Sequence, residues 1–138
     1  MANALVHAAS RGELGECRRF HAAAGASIPD ARANDNQALR LAASNGHLAV
    51  CEWLHATYAL TPADARAVDN DALQWAAHHG HLGVCRWLRA TFHLTAADAR
   101  SADNWALRHA AGNGHLGVCR WLHATFHLTA ADARAWDN

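Results

Sequence analysis

The chain has 138 residues, twelve Lys and Arg against twelve Asp and Glu, and an apolar share of 51%, which is the make-up of one ordinary folded domain and not of a disordered tail. Balanced charge gives no net pull toward phosphate backbones or anionic membranes, so nucleic acid is not the expected partner. No stretch approaches the roughly 20 apolar residues of a membrane span, and MANALVHAASRGELG lacks a basic region leading into an apolar run. The expectation is a chain without membrane contact in the cytoplasm, the nucleus or a host-cell cytosol being the other compatible compartments.

One block recurs in steps of 34 residues: GELGECRRF at Gly12 to Phe20, GHLAVCEWL at Gly46 to Leu54, GHLGVCRWL at Gly80 to Leu88 and again at Gly114 to Leu122. A period of this size marks a solenoid, whose units are too small to bury their own apolar face and lean on their neighbours. The chain divides into copies of about 3–35, 36–69, 70–103 and 104–138, one repeat domain in all. In the first copy Glu16 stands where Val50, Val84 and Val118 follow, and Arg19 where Trp53, Trp87 and Trp121 follow. Those positions face the preceding copy, so polar residues there make the first copy an N-terminal cap.

In the later copies Asp69-Asn70 reads as the cap of a first helix over DALQWAAHH, ended by Gly80. A second helix follows directly. In the last copy Val118, Trp121, Leu122, Thr125 and Phe126 fall on one face, with Gly117, Arg120, His123 and His127 opposite. His55 and His93 are read with that solvated side. Each Leu or Val buried there contributes roughly 1.5–3 kcal/mol. The pairs Ala42-Ala43, Ala76-Ala77 and Ala110-Ala111 let first helices approach closely.

The connectors LTPADARA (Leu60 to Ala67) and LTAADAR (Leu94 to Arg100, Leu128 to Arg134) place Asp three residues after Thr, the spacing of a capping box. Pro62 falls at a first helical position, where its missing N–H costs nothing. A short third helix is expected here. Asp64, Arg66, Asp98 and Arg100 are expected to pair between neighbouring copies as exposed ion pairs, worth about 0–1 kcal/mol each. Cys17, Cys51, Cys85 and Cys119 occupy one place in each copy. Packed helices sit roughly 8–10 Å apart and a disulfide needs Cα atoms within about 7 Å, so reduced, buried thiols are expected.

The order A-L-x-x-A-A-x-x-G-H-L-x-V-C-x-W-L resembles the ankyrin repeat in all four copies. The Ala-Ala pair, the Gly-His-Leu turn and the Val-x-x-Leu second helix carry the resemblance. Divergent arrays of this GHLxVCxWL type are similar to those encoded by large DNA viruses and protists. The family's Thr-Pro-Leu-His start is replaced by Gln37-Ala38-Leu39-Arg40, and no Gly-Ala-Asp-Val-Asn finger follows helix two. The resemblance therefore implies an all-α, ankyrin-like solenoid of four stacked helix-turn-helix repeats with a short third helix in place of the β-hairpin finger. The tetratricopeptide repeat shares the 34-residue period, but its Trp-Leu-Gly-Tyr start and closing Pro are absent.

With the copies superimposed, most columns are fixed and a few change character. One reads Asn3, Gln37, Asp71, Trp105; another His7, Leu41, Trp75, His109; a third Ser10, Ser44, His78, Gly112. They are spaced i, i+4, i+7 on the first helix and share a face. A fourth, before Asp-Asn, reads Asn34, Val68, Ala102, Trp136. In ankyrin arrays the first-helix side is the concave face that meets a partner, so the resemblance implies a non-catalytic protein-binding scaffold. Its expected contacts are Gln37, Leu41, Ser44, Val68, Asp71, Trp75, His78, Ala102, Trp105, His109, Gly112 and Trp136. Drift at exposed positions would yield Lys, Glu and Ser more readily than three Trp, the residue most enriched at interface hot spots.

The alternative is a self-associating module: the last copy keeps its apolar pattern to the chain end and could stack on another chain as a homo-oligomer, or be the cut end of a longer array. His78-His79-Gly80-His81 is dense, but His47, His81 and His115 recur with the turn and are read as structural. No metal site and no cofactor are expected, since zinc needs three or four converging ligands. No nucleophile sits in a glycine turn and no phosphate-binding loop is present, so no enzyme is expected.

Overall fold

The computed structural model describes residues 4–24 and 31–133. The elements are α1 (Ala4–Ser10), α2 (Leu14–Ala24), α3 (Ala33–Ser44), α4 (Leu48–Tyr58), α5 (Pro62–Ala65), α6 (Ala67–His78), α7 (Leu82–Phe92), α8 (Ala96–Ala99), α9 (Ser101–Gly112), α10 (Leu116–Phe126) and α11 (Ala130–Ala133). Among the described residues there is no strand. Each copy pairs a first helix with a second, as α3 with α4 and α6 with α7, across a short turn. First helices stack in one row, α1 on α3 on α6 on α9, and second helices in another, α2 on α4 on α7 on α10.

The rows close on each other because small residues sit where backbones meet. Ala42, Ala43, Ala76 and Ala77 are fully buried, and Leu39 and Leu73 lie beside them. The second row contributes Val50, Leu54, Val84, Leu88, Val118 and Leu122, and the ends of its helices contribute Tyr58, Phe92 and Phe126. Trp53 and Trp87 meet the preceding copy: His21 lies edge-on to Trp53 at 6.0 Å and His55 to Trp87 at 6.1 Å. His55 also sits edge-on to Phe92 at 5.2 Å. The expectation that His55 lies on the solvated side is therefore corrected: its ring fills the seam between second helices. Where those rings need an occupant from the preceding copy, Glu16 and Arg19 of the first copy face water and pair with each other at 2.6 Å.

The turn between helices is fixed by glycine and histidine together. Gly12, Gly46, Gly80 and Gly114 take φ of 74–77°. His81 lies over Gly46 so closely that a Cβ there would stand 2.6 Å from its Nδ1, and His47 and His115 cover Gly12 and Gly80 in the same manner. His81 also bonds the Ser44 backbone of the preceding copy.

Asp-Asn does not cap the first helix as the sequence suggests. Asn34 to Asn36, Val68 to Asn70 and Ala102 to Asn104 each form a complete left-handed turn, φ between 52° and 62°. L-residues adopt this conformation at a cost of roughly 1–2 kcal/mol each, and normally singly. Side chains five and six residues on hold the turn. Arg40 donates to the carbonyls of Asp35 and Asn34 at 2.8 and 2.9 Å. Gln74 donates to Asp69 and Arg108 to Asp103, each at 2.8 Å. Asn70 is drawn away from capping by the connector that follows: its Nδ2 donates to Asp98 at 3.1 Å, as Asn36 does to Asp64 at 3.0 Å.

Those aspartates also correct the expectation of exposed ion pairs. Arg32 reaches Asp64, Arg66 reaches Asp98 and Arg100 reaches Asp132, each through Nε and Nη2 at 2.8–3.2 Å. The carboxylates are buried. Each also accepts from the backbone and hydroxyl of Thr61, Thr95 or Thr129, which closes a capping box at Thr61 and Thr95. Burial pushes the Asp64 carboxyl up. The bonds from Arg32, the Thr61 backbone, Asn36 and the Thr61 hydroxyl together outweigh it and bring the carboxyl down to about 2.

Burial raises the Cys51 and Cys85 thiols to about 12, which leaves them unreactive at neutral pH. The four cysteines are free.

Candidate functional site

The face left to solvent by the first-helix row carries the variable columns. Gln37, Leu41 and Ser44 on α3, Asp71, Trp75 and His78 on α6, and Trp105 and His109 on α9 are all half-buried, while Gly112 is exposed. Helical spacing brings the members of each triplet to one side; stacking of the helices then brings triplets together across the copies. Val68 and Ala102 are exposed on the left-handed turns at the edge of this face. Trp136 lies outside the described residues.

The two halves of the face differ in chemistry. On α3, Gln37 accepts from Asn34 at 3.2 Å and Arg40 pairs with Asp71 at 3.1 Å. Arg40, Leu41, Ser44, Asp71, Trp75 and His79 line a hollow of about 400 Å³. Toward α9 the surface is aromatic. Trp75 and Trp105 meet with ring centroids 5.1 Å apart. His109 stacks on Trp105 at 3.8 Å and 24°, and His78 lies against Trp105 at 5.4 Å and 27°. His78 and His109 face each other with Nδ1 atoms 3.3 Å apart.

The sequence reading missed His79, which stacks on Trp75 at 5.6 Å and 29°. The signal was available, since its column reads Arg11, Asn45, His79, Asn113 and varies as freely as the others. Asn45 and Asn113 use that place to donate to the last carbonyl of the preceding first helix, Ser10 at 2.9 Å and His78 at 3.2 Å.

In the aromatic half the charged forms of His78 and His109 are disfavoured. Burial, then His79, His109 and His115, hold the His78 imidazolium down, and burial and then Arg108 do so for His109. Neutral rings beside two Trp give a surface with a large apolar area and a few hydrogen-bonding nitrogens, the combination typical of an interface anchor.

No group of three or more His, Cys, Asp or Glu among the described residues is arranged around a metal-sized space. No helix among them is long and apolar enough to cross a membrane.

Residues 5–55 match the family model described as ankyrin repeats (many copies). A comparison with curated proteins finds no match. The matched segment covers most of the first two copies, and the same 34-residue block continues through the third and fourth.

Proposed function

The chain belongs to the ankyrin-repeat family, and on that premise we propose that it is a non-catalytic scaffold that binds a protein partner through the first-helix face. Repeats of this family generally mediate protein–protein interaction. The observation that carries the reading is the half-buried cluster of Trp75, Trp105, His78 and His109. It stands on columns that change from copy to copy, while the packing columns around it stay fixed. Trp75 and Trp105 supply area, the imidazoles supply hydrogen bonds, and the Leu41 hollow beside them receives a partner side chain. Gln37, Ser44, Asp71, Val68, Ala102 and Gly112 form the surround. Affinity capture with the wild type beside the W75A/W105A double variant tests this, with circular dichroism to verify helicity. Loss of a specific partner with unchanged helicity is expected; equal capture by both proteins rejects the reading.

A second reading rests on a different surface. Leu116 is 59% exposed and Ala111 is exposed, whereas their counterparts Leu82 and Ala77 are covered by the following copy. Gly114 has nothing within 4 Å of where its Cβ would stand. This face matches the surface each earlier copy offers its successor, so it suits the backward face of a further repeat or of a second chain. Light scattering across a concentration series tests for such stacking, and a constant monomer mass would count against it.

A further inference from the structure

We propose that His78 and Asn113 form a proton-sensitive latch between the third and fourth copies, closed while His78 is neutral and opened when its Nδ1 takes up a proton from solvent. The Asn113 side-chain amide donates to the His78 carbonyl at 3.2 Å and meets the His78 Nδ1 at 3.3 Å. A carbonyl only accepts, so the amide nitrogen is the atom that faces His78, and the ring nitrogen beside it is the bare, accepting one. The His109 Nδ1, 3.3 Å from the same atom, then carries a hydrogen and donates it. Two donors of the fourth copy thus converge on one acceptor of the third. The first junction has the same arrangement without a titrating group: Asn45 donates to the Ser10 carbonyl at 2.9 Å and to its hydroxyl at 3.3 Å.

A protonated imidazole carries N–H on both nitrogens, so no rotation of the ring restores an acceptor. His109 can adjust, by holding its own hydrogen on Nε2 and accepting from His78. Asn113 cannot: turning its amide over sets Oδ1 against the His78 carbonyl oxygen, so one of its two bonds is lost either way. The neighbourhood resists the cation as well. Burial first, then His79, His109 and His115, lower the His78 pKa, and His79 lies edge-on at 4.8 Å. Arg108 acts likewise on His109, after burial. The carbonyl end of α6 and the faces of Trp75 and Trp105 favour a cation and offset part of this.

Other charged groups on elements packed against α6 are engaged elsewhere or exposed. Arg40 of α3 pairs with Asp71, Asp64 of α5 with Arg32 and Asp98 of α8 with Arg66, while Arg86 and Arg89 of α7 are exposed. Asp69 and Asp103 sit near the opposite ends of α6 and α9. No carboxylate among the described residues pairs with either imidazole. A group whose pKa is lowered by folding binds fewer protons folded than unfolded. The latch is therefore fully closed above the ordinary 6.5 and is lost as pH falls below it. Opening frees the turn that begins the second helix of the fourth copy, and with it the α9 side of the aromatic face. Its consequence for a partner rests on the binding reading above; the latch itself does not.

The test is a set of nitrogen-15 spectra of the free chain from pH 7.5 to about pH 5, with wild type beside N113A and H78S, the latter carrying the residue that the first two copies hold. In wild type the His78 ring and the Asn113 side-chain amide should shift together with one midpoint below 6.5, while the Asn45 amide stays still. In H78S the Asn113 amide should stay still too, and in N113A the His78 midpoint should rise toward 6.5. Wild type should also lose more of its melting temperature over that range than H78S does. An Asn113 amide that ignores the His78 titration, a wild-type midpoint at or above 6.5, a midpoint unchanged in N113A, or an equal fall in melting temperature in H78S would each overturn the latch. Such a result leaves the binding reading standing, since no partner is present, and equal capture by wild type and W75A/W105A would leave the latch standing.

Discussion

Asp98 receives both Nε and Nη2 of Arg66, at 2.9 and 3.1 Å, across the boundary between two copies. The same carboxylate accepts from Asn70 and from the backbone and hydroxyl of Thr95. One side chain thus folds its own connector and fastens it to the preceding first helix. Cooperativity between copies has a polar component here as well as an apolar one.

Replacing Asp98 with Ala removes a capping box and leaves the buried Asn70 amide without that acceptor. The two losses predict destabilisation of about 2–4 kcal/mol. Arg66→Ala should cost less, because its guanidinium is half-exposed and Asp98 keeps its Thr95 and Asn70 bonds. Asp103→Ala, at an exposed left-handed position that Asp tolerates better than Ala, should cost only about 0.5–1 kcal/mol. Urea midpoints for the three variants check the ranking, and equal effects from Asp98 and Asp103 would refute the clamp.

The same carboxylates set the acid limit of the fold. Asp64 titrates at about 2 in the folded chain against an ordinary 3.8, and Asp98 and Asp132 are lowered in the same direction. A depressed carboxylate binds fewer protons folded than unfolded, so its contribution is fully present above about pH 4 and is lost as pH falls toward 2. Thermal unfolding followed from pH 6 to pH 2 should show the melting temperature falling steeply below about pH 4. In D98N, whose side chain does not titrate, that acid-dependent fall should be shallower.

Val68 is a β-branched residue held at φ 56°, ψ 55°, while its side chain is 50% exposed. Little packing is lost by changing it, and Asn occupies the same place at position 34. Val68→Asn should therefore stabilise the chain by about 1 kcal/mol through relief of left-handed strain. A lower urea midpoint for the variant would show that the turn is not strained there.

The helix pairs were legible because their signal repeats: the Ala-Ala, Gly-His-Leu and Val-Cys columns each return with every copy, and a periodic apolar pattern determines a helix face. The left-handed turns were not legible. Asp69-Asn70 before a helix fits an ordinary N-cap, and only the arrival of Asp98 from the next connector shows what Asn70 is bonded to. His55 was misplaced for a related reason, since its neighbours Trp87 and Phe92 lie more than thirty residues along the chain. The variable face was readable from column comparison, and His79 escaped because it lies one residue past the i, i+4, i+7 set, although i+8 shares that face. Pairing of His78 with His109 depends on the offset between stacked helices, which no single copy encodes.

Gly46 and Gly114 separate two costs that usually arrive together. Both have φ near 77°, so an Ala at either place is strained by about 1 kcal/mol relative to Gly. At Gly46 the new Cβ would also stand 2.6 Å from Nδ1 of His81, whereas at Gly114 nothing lies within 4 Å. His81 cannot yield freely, because it bonds the Ser44 backbone from inside the turn of the next copy. Gly46→Ala should therefore cost about 1–3 kcal/mol more than Gly114→Ala. The double variant Gly46→Ala with His81→Ala should recover part of the difference, since the overlap is gone while the φ penalty stays. Urea denaturation of wild type, the two glycine variants, H81A and the double variant measures the coupling. Equal destabilisation by the two glycine variants would mean that the imidazole does not hold the copies in register.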